Sequence, residues 1–286
     1  MIVVLGAGGQ LGTAFRSVYP DARFVDRAGL DLTDTAAIAG RLAPLSPTAL
    51  VNCAAYTAVD RAEAEQDMAH LVNAEAVAAL ARFAAATGIP LVTYSTDYVF
   101  PGDGSTPYVE SDPTDPINAY GRSKLAGEIA ALDLHPGTLV IRTSWVVSGT
   151  HPNFVATMLR LARRGEPWRV VDDQMGCPTV AGDLAAATAE AVDAGVTGIL
   201  HRTNAGVTTW FELARAALHL AGHDPGLVEP CATADYPTPA RRPAYSVLGS
   251  ERAGPAGLTP LPPWQDSLPA LITAIASPRS QPGTTS

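Results

Sequence analysis

Along the first half of the chain, short apolar runs take turns with stretches whose apolar positions recur at helical spacing. Residues 3–5 form an apolar run closed by Gly6, and a helical pattern follows over 10–18 with Pro20 beyond it. The alternation repeats, with strands expected at 23–25, 49–54, 90–95 and 138–144 and helices at 35–42, 61–86 and 119–132. Strands that are nearly continuous apolar runs, separated by helices, predict right-handed β-α-β crossovers and a parallel sheet covered on both faces. The expected fold is therefore α/β, a doubly wound Rossmann sheet spanning residues 1–150.

Beyond residue 150 the texture changes, with more Pro, Trp and Arg and a less regular alternation. Helices are expected at 153–164, 209–222 and 264–276 and strands at 168–171 and 198–201. We assign 151–276 to a smaller α/β substrate-binding domain, with 182–205 a candidate to return to the sheet. Residues 277–286 read as a disordered polar tail.

Composition narrows the function classes. Hydrophobic residues make up 47% and charged residues 16%, as in an ordered globular protein. A net charge of −9 argues against a general nucleic-acid or anionic-membrane surface, while leaving room for a small anionic ligand held by local donors. Cys53, Cys177 and Cys231 are far apart and follow no metal-ligand spacing, which suits a reduced, cytoplasmic setting. The Met1-Ile2-Val3-Val4-Leu5 start has no basic leader, and no later run approaches a membrane span, so the expectation is a soluble, unexported protein.

Gly6, Gly9 and Gly12 recur at G-x-x-G-x-x-G spacing between the first strand and the first helix. Glycines there let the backbone turn sharply and approach a pyrophosphate, whose charge meets the unpaired N–H groups of the helix start. The competing reading is an ordinary glycine-rich turn. Position at the first strand of an alternating chain favours the dinucleotide. Asp26, twenty residues past Gly6, suits a ribose 2′-OH, and Arg27 beside it suits the 2′-phosphate of NADP, so both NADH and NADPH stay open. Asp31 is a candidate for the adenine side, with capping near Thr33 and Asp34 an equal explanation.

The strongest constellation is Tyr120-Gly121-Arg122-Ser123-Lys124. Positions i and i+4 share a helix face, so a phenol and an ammonium can point into one site. The cation is expected to lower the tyrosine pKa, and the tyrosine to protonate the oxygen of a ketone receiving hydride. Composition strengthens this reading: 18 of the 19 basic side chains are arginine, and Lys124 is the only lysine. With eight tyrosines among 286 residues, a randomly placed lysine falls four residues after one about 3% of the time. An ammonium is a compact charge that reaches a phenol and a ribose hydroxyl together, which a guanidinium fork does not do. Ser95-Thr96-Asp97-Tyr98-Val99-Phe100 closes the fourth strand, where hydroxyls can meet a substrate carbonyl or cap the strand end.

These motifs, with Asn52 to Glu63, Arg142-Thr143-Ser144-Trp145, Asn153-Phe154, Asp173 to Thr179 and Arg242 to Leu248, resemble the extended short-chain dehydrogenase/reductases and, within them, the dTDP-4-dehydrorhamnose reductase family. The resemblance runs from residue 2 to about 276 in the family's order. It implies NAD(P)H-dependent reduction of the C4 ketone of dTDP-4-dehydro-L-rhamnose, giving dTDP-L-rhamnose. The implied catalytic set is Thr96 on the C4 carbonyl, Tyr120 as proton donor and Lys124 on the nicotinamide ribose. Implied cofactor residues are Gly6, Gly9, Gln10, Leu11, Gly12, Asp26, Arg27, Asp31, Leu32, Ala54, Ala55, Tyr56, Asn73, Tyr120 and Lys124. Implied substrate residues are Thr57, Val59, Thr96, Asp97, Tyr98, Trp145, Asn153 and Arg242, with Arg242, or Arg241 beside it, on the diphosphate. Trp145, Gln174 and Thr179 equally suit packing at the domain junction.

Some family members carry a magnesium-linked dimer interface; a homodimer is thus an expectation, while no compact carboxylate cluster assigns Mg2+ or another metal. Three departures from the family pattern, Tyr245 for Asn, Gly249 for Asp and Val147 for Tyr, fall on the sugar-nucleotide side. They keep open a related dTDP-4-keto-sugar reductase such as a dihydrostreptose synthase. A non-catalytic, NADP-binding regulatory subunit on the same fold, resembling the β subunit of methionine adenosyltransferase, is disfavoured by intact Tyr120 and Lys124.

Overall fold

The structure, a computed structural model, describes residues 1–277; residues 278–286 of the expected tail lie outside them. The first half is built from β1 (Ile2–Leu5), α1 (Gln10–Val18), β2 (Arg23–Val25), α2 (Ile38–Leu42), β3 (Ala49–Asn52), α3 (Val59–Ala62), α4 (Gln66–His70), α5 (Ala76–Thr87), β4 (Leu91–Thr96), α6 (Ala119–Leu134) and β5 (Thr138–Thr143). Then come β6 (Val146–Val147), α7 (Phe154–Ala162), β7 (Trp168–Val171), β8 (Met175–Gly176), β9 (Thr179–Val180), α8 (Ala181–Asp193), β10 (Gly198–His201), β11 (Thr208–Thr209), α9 (Trp210–Leu220), β12 (Val228–Cys231) and α10 (Trp264–Ala276).

Six strands form one all-parallel sheet in the order β10-β5-β4-β3-β1-β2. Residues one apart on a strand point to opposite faces, and the sheet obeys this throughout. Val3, Leu5, Leu50, Leu91 and Val140 pack under α2 and α5. Val4, Val51, Val92, Leu139 and Ile141 pack under α1 and α8, against Leu11, Phe15 and Leu184. Burial on both faces explains why these strands are continuous apolar runs. Chain order reverses on either side of β1, whose neighbours are β2 and β3, and a cleft outside the carboxyl ends at such a switch point is where α/β sheets take ligands.

The segment 182–205 does return to the sheet: α8 packs against α1 and β10 pairs with β5. A second apolar cluster joins α7, α9 and α10 through Val155, Met158, Leu213, Leu218, Trp264 and Leu268. The parallel pair β7 and β12 flanks it.

One expected element differs. The single helix over 61–86 is instead α3, a turn, α4, a π-helical turn at Leu71–Glu75, and α5. The alanine-rich sequence favours helix throughout, but tertiary contacts interrupt it. Glu65 is held by the Tyr56 hydroxyl at 2.7 Å and by Arg61 at 2.6 Å, and the π turn pushes the Asn73 carbonyl against Gly127 of α6, where a Cβ would overlap it.

Candidate active site

The glycine turn works by omitting side chains. Gly6 has φ +71°, and a Cβ on it would sit 2.6 Å from the Ala54 nitrogen. A Cβ on Gly12 would overlap the Gly6 carbonyl, so this glycine lets α1 lie against the turn. Around Gly8 there is open space, and Gly9 is the N-cap of α1 with no side chain capping the helix. The first N–H groups of α1 are thus available to an anion. At the end of β2, Asp26 accepts from the Gly29 nitrogen at 3.1 Å, and Arg27, 79% exposed, pairs with Asp31 at 3.2 Å. The Thr33 backbone N–H and hydroxyl hold the Asp31 carboxyl below its ordinary range. Leu11 and Leu32 bury their side chains in the two core layers beneath the turn.

Across the switch point, Ala54, Ala55 and Tyr56 follow β3, with Asn52 accepting from the Ala54 nitrogen at 3.2 Å. Asn73 uses both ends of its amide. It accepts from the Tyr56 nitrogen at 2.8 Å and donates to the Tyr56 carbonyl and to the Ser123 hydroxyl, which donates on to the Tyr120 carbonyl. Asn73 therefore brackets the β3 loop to α6. Thr57 is exposed in this loop, and Val59 starts α3.

The candidate reaction centre lies where α6 crosses the carboxyl ends of β4 and β5. Asn118 caps α6 by accepting from the Gly121 nitrogen at 2.8 Å, and Gly121 permits the helix to meet the Tyr98 carbonyl. Tyr120 and Lys124 stand on one face of α6. The Tyr120 ring meets Tyr98 edge-on at 6.1 Å, and the Thr96 hydroxyl lies near enough to pull its phenol pKa down. Lys124 is only 5% exposed. Burial pushes its pKa down to about 8, with Glu128 one turn on pulling it back up. Burial pushes the Tyr120 phenol up to about 12, against the pull of Thr96 and with a further push from Asp97. Three buried polar atoms at this strand end have no partner: Ser95 Oγ, Asp97 Oδ2 and Thr143 Oγ1. Thr143 is the register partner of Thr96, next to Asp97, whereas Ser95 pairs with Arg142 and lies on the α6 side beside Lys124 and Glu128. Buried polar atoms demand partners. With the uncapped start of α1, they fit a dinucleotide and a polar substrate.

Behind Lys124, Glu128 forms a buried multidentate pair with Arg142 of β5 at 2.7 Å. Arg142 also reaches His201 Nε2 at 3.4 Å, and the other ring nitrogen of His201 contacts the carbonyls of Gly249 and Tyr108.

On the opposite wall, Trp145 has φ +46°, a strained conformation for a bulky residue. Its ring stacks on Trp210 at 3.6 Å and fills the space left by Gly176, while its carbonyl accepts from Thr179. Asn153 caps α7 and donates to the Ser148 carbonyl at 2.6 Å and to Gln10 Oε1 at 3.3 Å. Gln10 in turn donates to the Val146 carbonyl. Arg242 pairs with Asp60 at 2.9 Å and donates to the Ala240 carbonyl, whereas the Arg241 side chain points outward and its carbonyl accepts from Asn118. Among the described residues, no group of three or more His, Cys, Asp or Glu side chains is placed to hold a metal, and no helix is long and apolar enough to cross a membrane.

The family model described as RmlD substrate binding domain matches residues 1–277. The chain belongs to this family. It is 44% identical over 281 residues to the dTDP-4-dehydrorhamnose reductase of Mycolicibacterium smegmatis, covering 96% of this chain and 85% of the relative. It is 42% identical over 272 residues to the dTDP-4-keto-6-deoxy-D-glucose reductase of Streptomyces niveus, covering 93% and 94%. The crystal structure of the Bacillus anthracis dTDP-4-dehydrorhamnose reductase in complex with NADP superposes with a TM-score of 0.92 at 34% identity, covering 95% of this chain and 98% of that one.

For this member of the RmlD family, the geometry adds to several sequence expectations without bearing on the ligand contacts themselves. Lys124 is not among the groups that shift the Tyr120 pKa, which burial pushes up to about 12. Asn73 and Asn153 spend their amides on loop geometry, and Leu11 and Leu32 are core residues. Tyr245 packs beside Tyr108, Phe100 and Leu248, and Val147 is buried in the α7–α9–α10 core, so both departures sit in packing. Glu128, Ser123 and Asn52 were not singled out from the sequence. Glu128 lies one turn past Lys124, a spacing that offered the signal.

Proposed function

We propose that this chain is an NADPH-dependent oxidoreductase reducing the C4 ketone of a dTDP-4-keto-6-deoxy sugar, with dTDP-4-dehydro-L-rhamnose as substrate and dTDP-L-rhamnose as product. The carrying observation is the partly buried Tyr120 set with Lys124 on one face of α6, with Thr96 at the end of β4 and the glycine turn across the sheet end. The names of the M. smegmatis and B. anthracis relatives support the substrate, and the NADP of the latter supports the cofactor.

In this reading, the α1 start takes the pyrophosphate, and Arg27, free to leave its exposed pair with Asp31, takes the 2′-phosphate. The bound nicotinamide supplies the hydride. Tyr120, with its pKa near 12, keeps its proton at working pH and releases it only when an alkoxide of higher basicity forms beside it. Lys124 holds the ribose and offsets the phenolate that remains. Trp145, backed by Trp210, forms the wall of the sugar site. Arg242, fixed by Asp60, supports the nucleotide side.

The test is oxidation of NADPH, and separately NADH, by the purified chain with dTDP-4-dehydro-L-rhamnose and with the 4-keto-6-deoxy-D-glucose nucleotide. Turnover with the first substrate and NADPH is expected. Preference for the second sugar would reassign the substrate, in line with the S. niveus relative. Cofactor binding without turnover of any keto-sugar would favour the regulatory-subunit reading.

A further inference from the structure

Asp97 is the most enclosed carboxyl of the reaction centre, 2% exposed, and its two oxygens differ. Oδ1 accepts the Thr96 hydroxyl proton at 2.9 Å. Oδ2 is buried and has no hydrogen-bond partner, although the Ser246 hydroxyl lies close enough to the carboxyl to lower its proton affinity. The Thr96 hydroxyl has one proton and two lone pairs. When Asp97 is ionised, that proton is committed to Oδ1. One lone pair is occupied by the Tyr98 N–H at 3.2 Å. Thr96 then has nothing to donate to a ketone.

A proton on Oδ1 reverses this arrangement without moving a heavy atom. The carboxylic acid donates across the same 2.9 Å contact, so both Thr96 lone pairs are filled, by Asp97 and by the Tyr98 N–H. The Thr96 proton is released toward the site, where a ketone oxygen can accept it, and Oδ2 becomes a neutral carbonyl oxygen, cheaper to leave unpaired than half of a buried carboxylate.

We propose that Asp97 enters the reactive complex as the carboxylic acid and acts as a positioning residue that turns the Thr96 hydroxyl toward the C4 oxygen. This rests on the reductase reading above. The proton transferred to the product is that of Tyr120; the Asp97 proton stays on the carboxyl, and hydride comes from the reduced nicotinamide. The surroundings agree with the geometry. Burial raises the carboxyl to about 6, the Ser246 and Thr96 hydroxyls pull it back, and no cation is among the groups that shift it. Of the titratable groups around it, Tyr120 of α6, Tyr98 of the same turn and Cys177 of the β8–β9 loop are all neutral, held so chiefly by burial. A substrate that displaces water from Asp97 raises its proton affinity further.

The test begins with the ligand-free protein, so that it does not depend on the identity of the sugar. Infrared difference spectra across a pH titration are expected to show a carboxylic-acid band with a midpoint near 6 that is missing in Asp97→Asn. Adding oxidised cofactor and a dTDP-sugar should move the midpoint upward. In Thr96→Val, which removes the donor that favours the carboxylate, the midpoint should also rise, providing a second variant should the first fold poorly. In kinetics, an asparagine amide can donate to Thr96 as the acid does and an alanine cannot. Asp97→Ala is expected to lose about 10²-fold in kcat. Asp97→Asn should recover most of that loss and remove the limb near pH 6. An Asp97 ionised down to pH 4 with ligands bound, or an asparagine variant as slow in kcat as the alanine one, would overturn the proposal. Failure of every keto-sugar to turn over, with the infrared band present, would instead count against the reductase reading.

Discussion

The glycine turn and the α6 reaction centre lie at the same end of one sheet but are built on opposite principles. At the turn, side chains are missing: Gly6 and Gly12 let backbone approach backbone, and the nearby charges, Arg27 and Asp31, stand in solvent. At the reaction centre, polar side chains are enclosed and their proton affinities are displaced, with Lys124 down to about 8, Asp97 up to about 6 and Tyr120 up to about 12. The first region selects a ligand by shape and by amides that need no protonation. In the second, chemistry depends on enclosed groups whose protonation is set by their surroundings. A substitution in the turn should therefore act through sterics and be insensitive to pH, while one in the centre should act through protonation.

The largest expected effect is in the centre. Tyr120→Phe removes the proposed proton donor and should lower kcat by roughly 10² to 10⁴-fold while cofactor affinity, measured by calorimetry, changes little. Comparable turnover in this variant would dissolve the contrast. Next, Glu128→Ala leaves the Arg142 guanidinium buried without its partner and should cost about 3–5 kcal/mol in denaturant unfolding. A loss below about 1 kcal/mol would show that water or His201 takes over the charge.

Lys124 carries a pH signature. Its folded pKa lies below its unfolded value, so between about pH 8 and 10.5 the unfolded chain binds more protons, and stability rises with pH through that window. Below pH 8 the penalty for burying the ammonium is fully present. Lys124→Met should remove this slope, raise stability at neutral pH and abolish activity; an unchanged slope would mean that the ammonium is solvated. The smallest effects belong to the turn. Gly12→Ala should cost about 1–3 kcal/mol through overlap with the Gly6 carbonyl. Gly8→Ala, with nothing around its Cβ, should stay within about 0.5 kcal/mol when free of ligand. Equal losses at the two positions would refute the steric account.

The same contrast separates what was legible in the sequence from what was not. The turn and the strands announce themselves through local pattern, since glycine spacing and apolar runs are one-dimensional signals. Tyr120 and Lys124 were readable because i, i+4 spacing is geometry in one helix. The π turn at Leu71–Glu75 was not, because an alanine-rich stretch offers no break; what bends it is contact with Gly127, more than fifty residues away. The β7–β12 pair escaped notice because Val-Glu-Pro-Cys neither alternates cleanly nor avoids proline, which an edge strand tolerates. Arg142 did leave a trace, as an arginine inside a fully buried strand must have a counter-ion nearby, but the sequence does not name Glu128 as the partner.

Lys124 also makes the protein its own reporter. With no other lysine in the chain, reductive methylation with carbon-13 formaldehyde introduces one side-chain label beside that of the terminal amine. A titration of that single resonance reads the electrostatics of the centre without mutation or assignment. Its movement on adding oxidised cofactor would register the approach of the ribose, in a molecule whose eighteen arginines are all silent to the same chemistry.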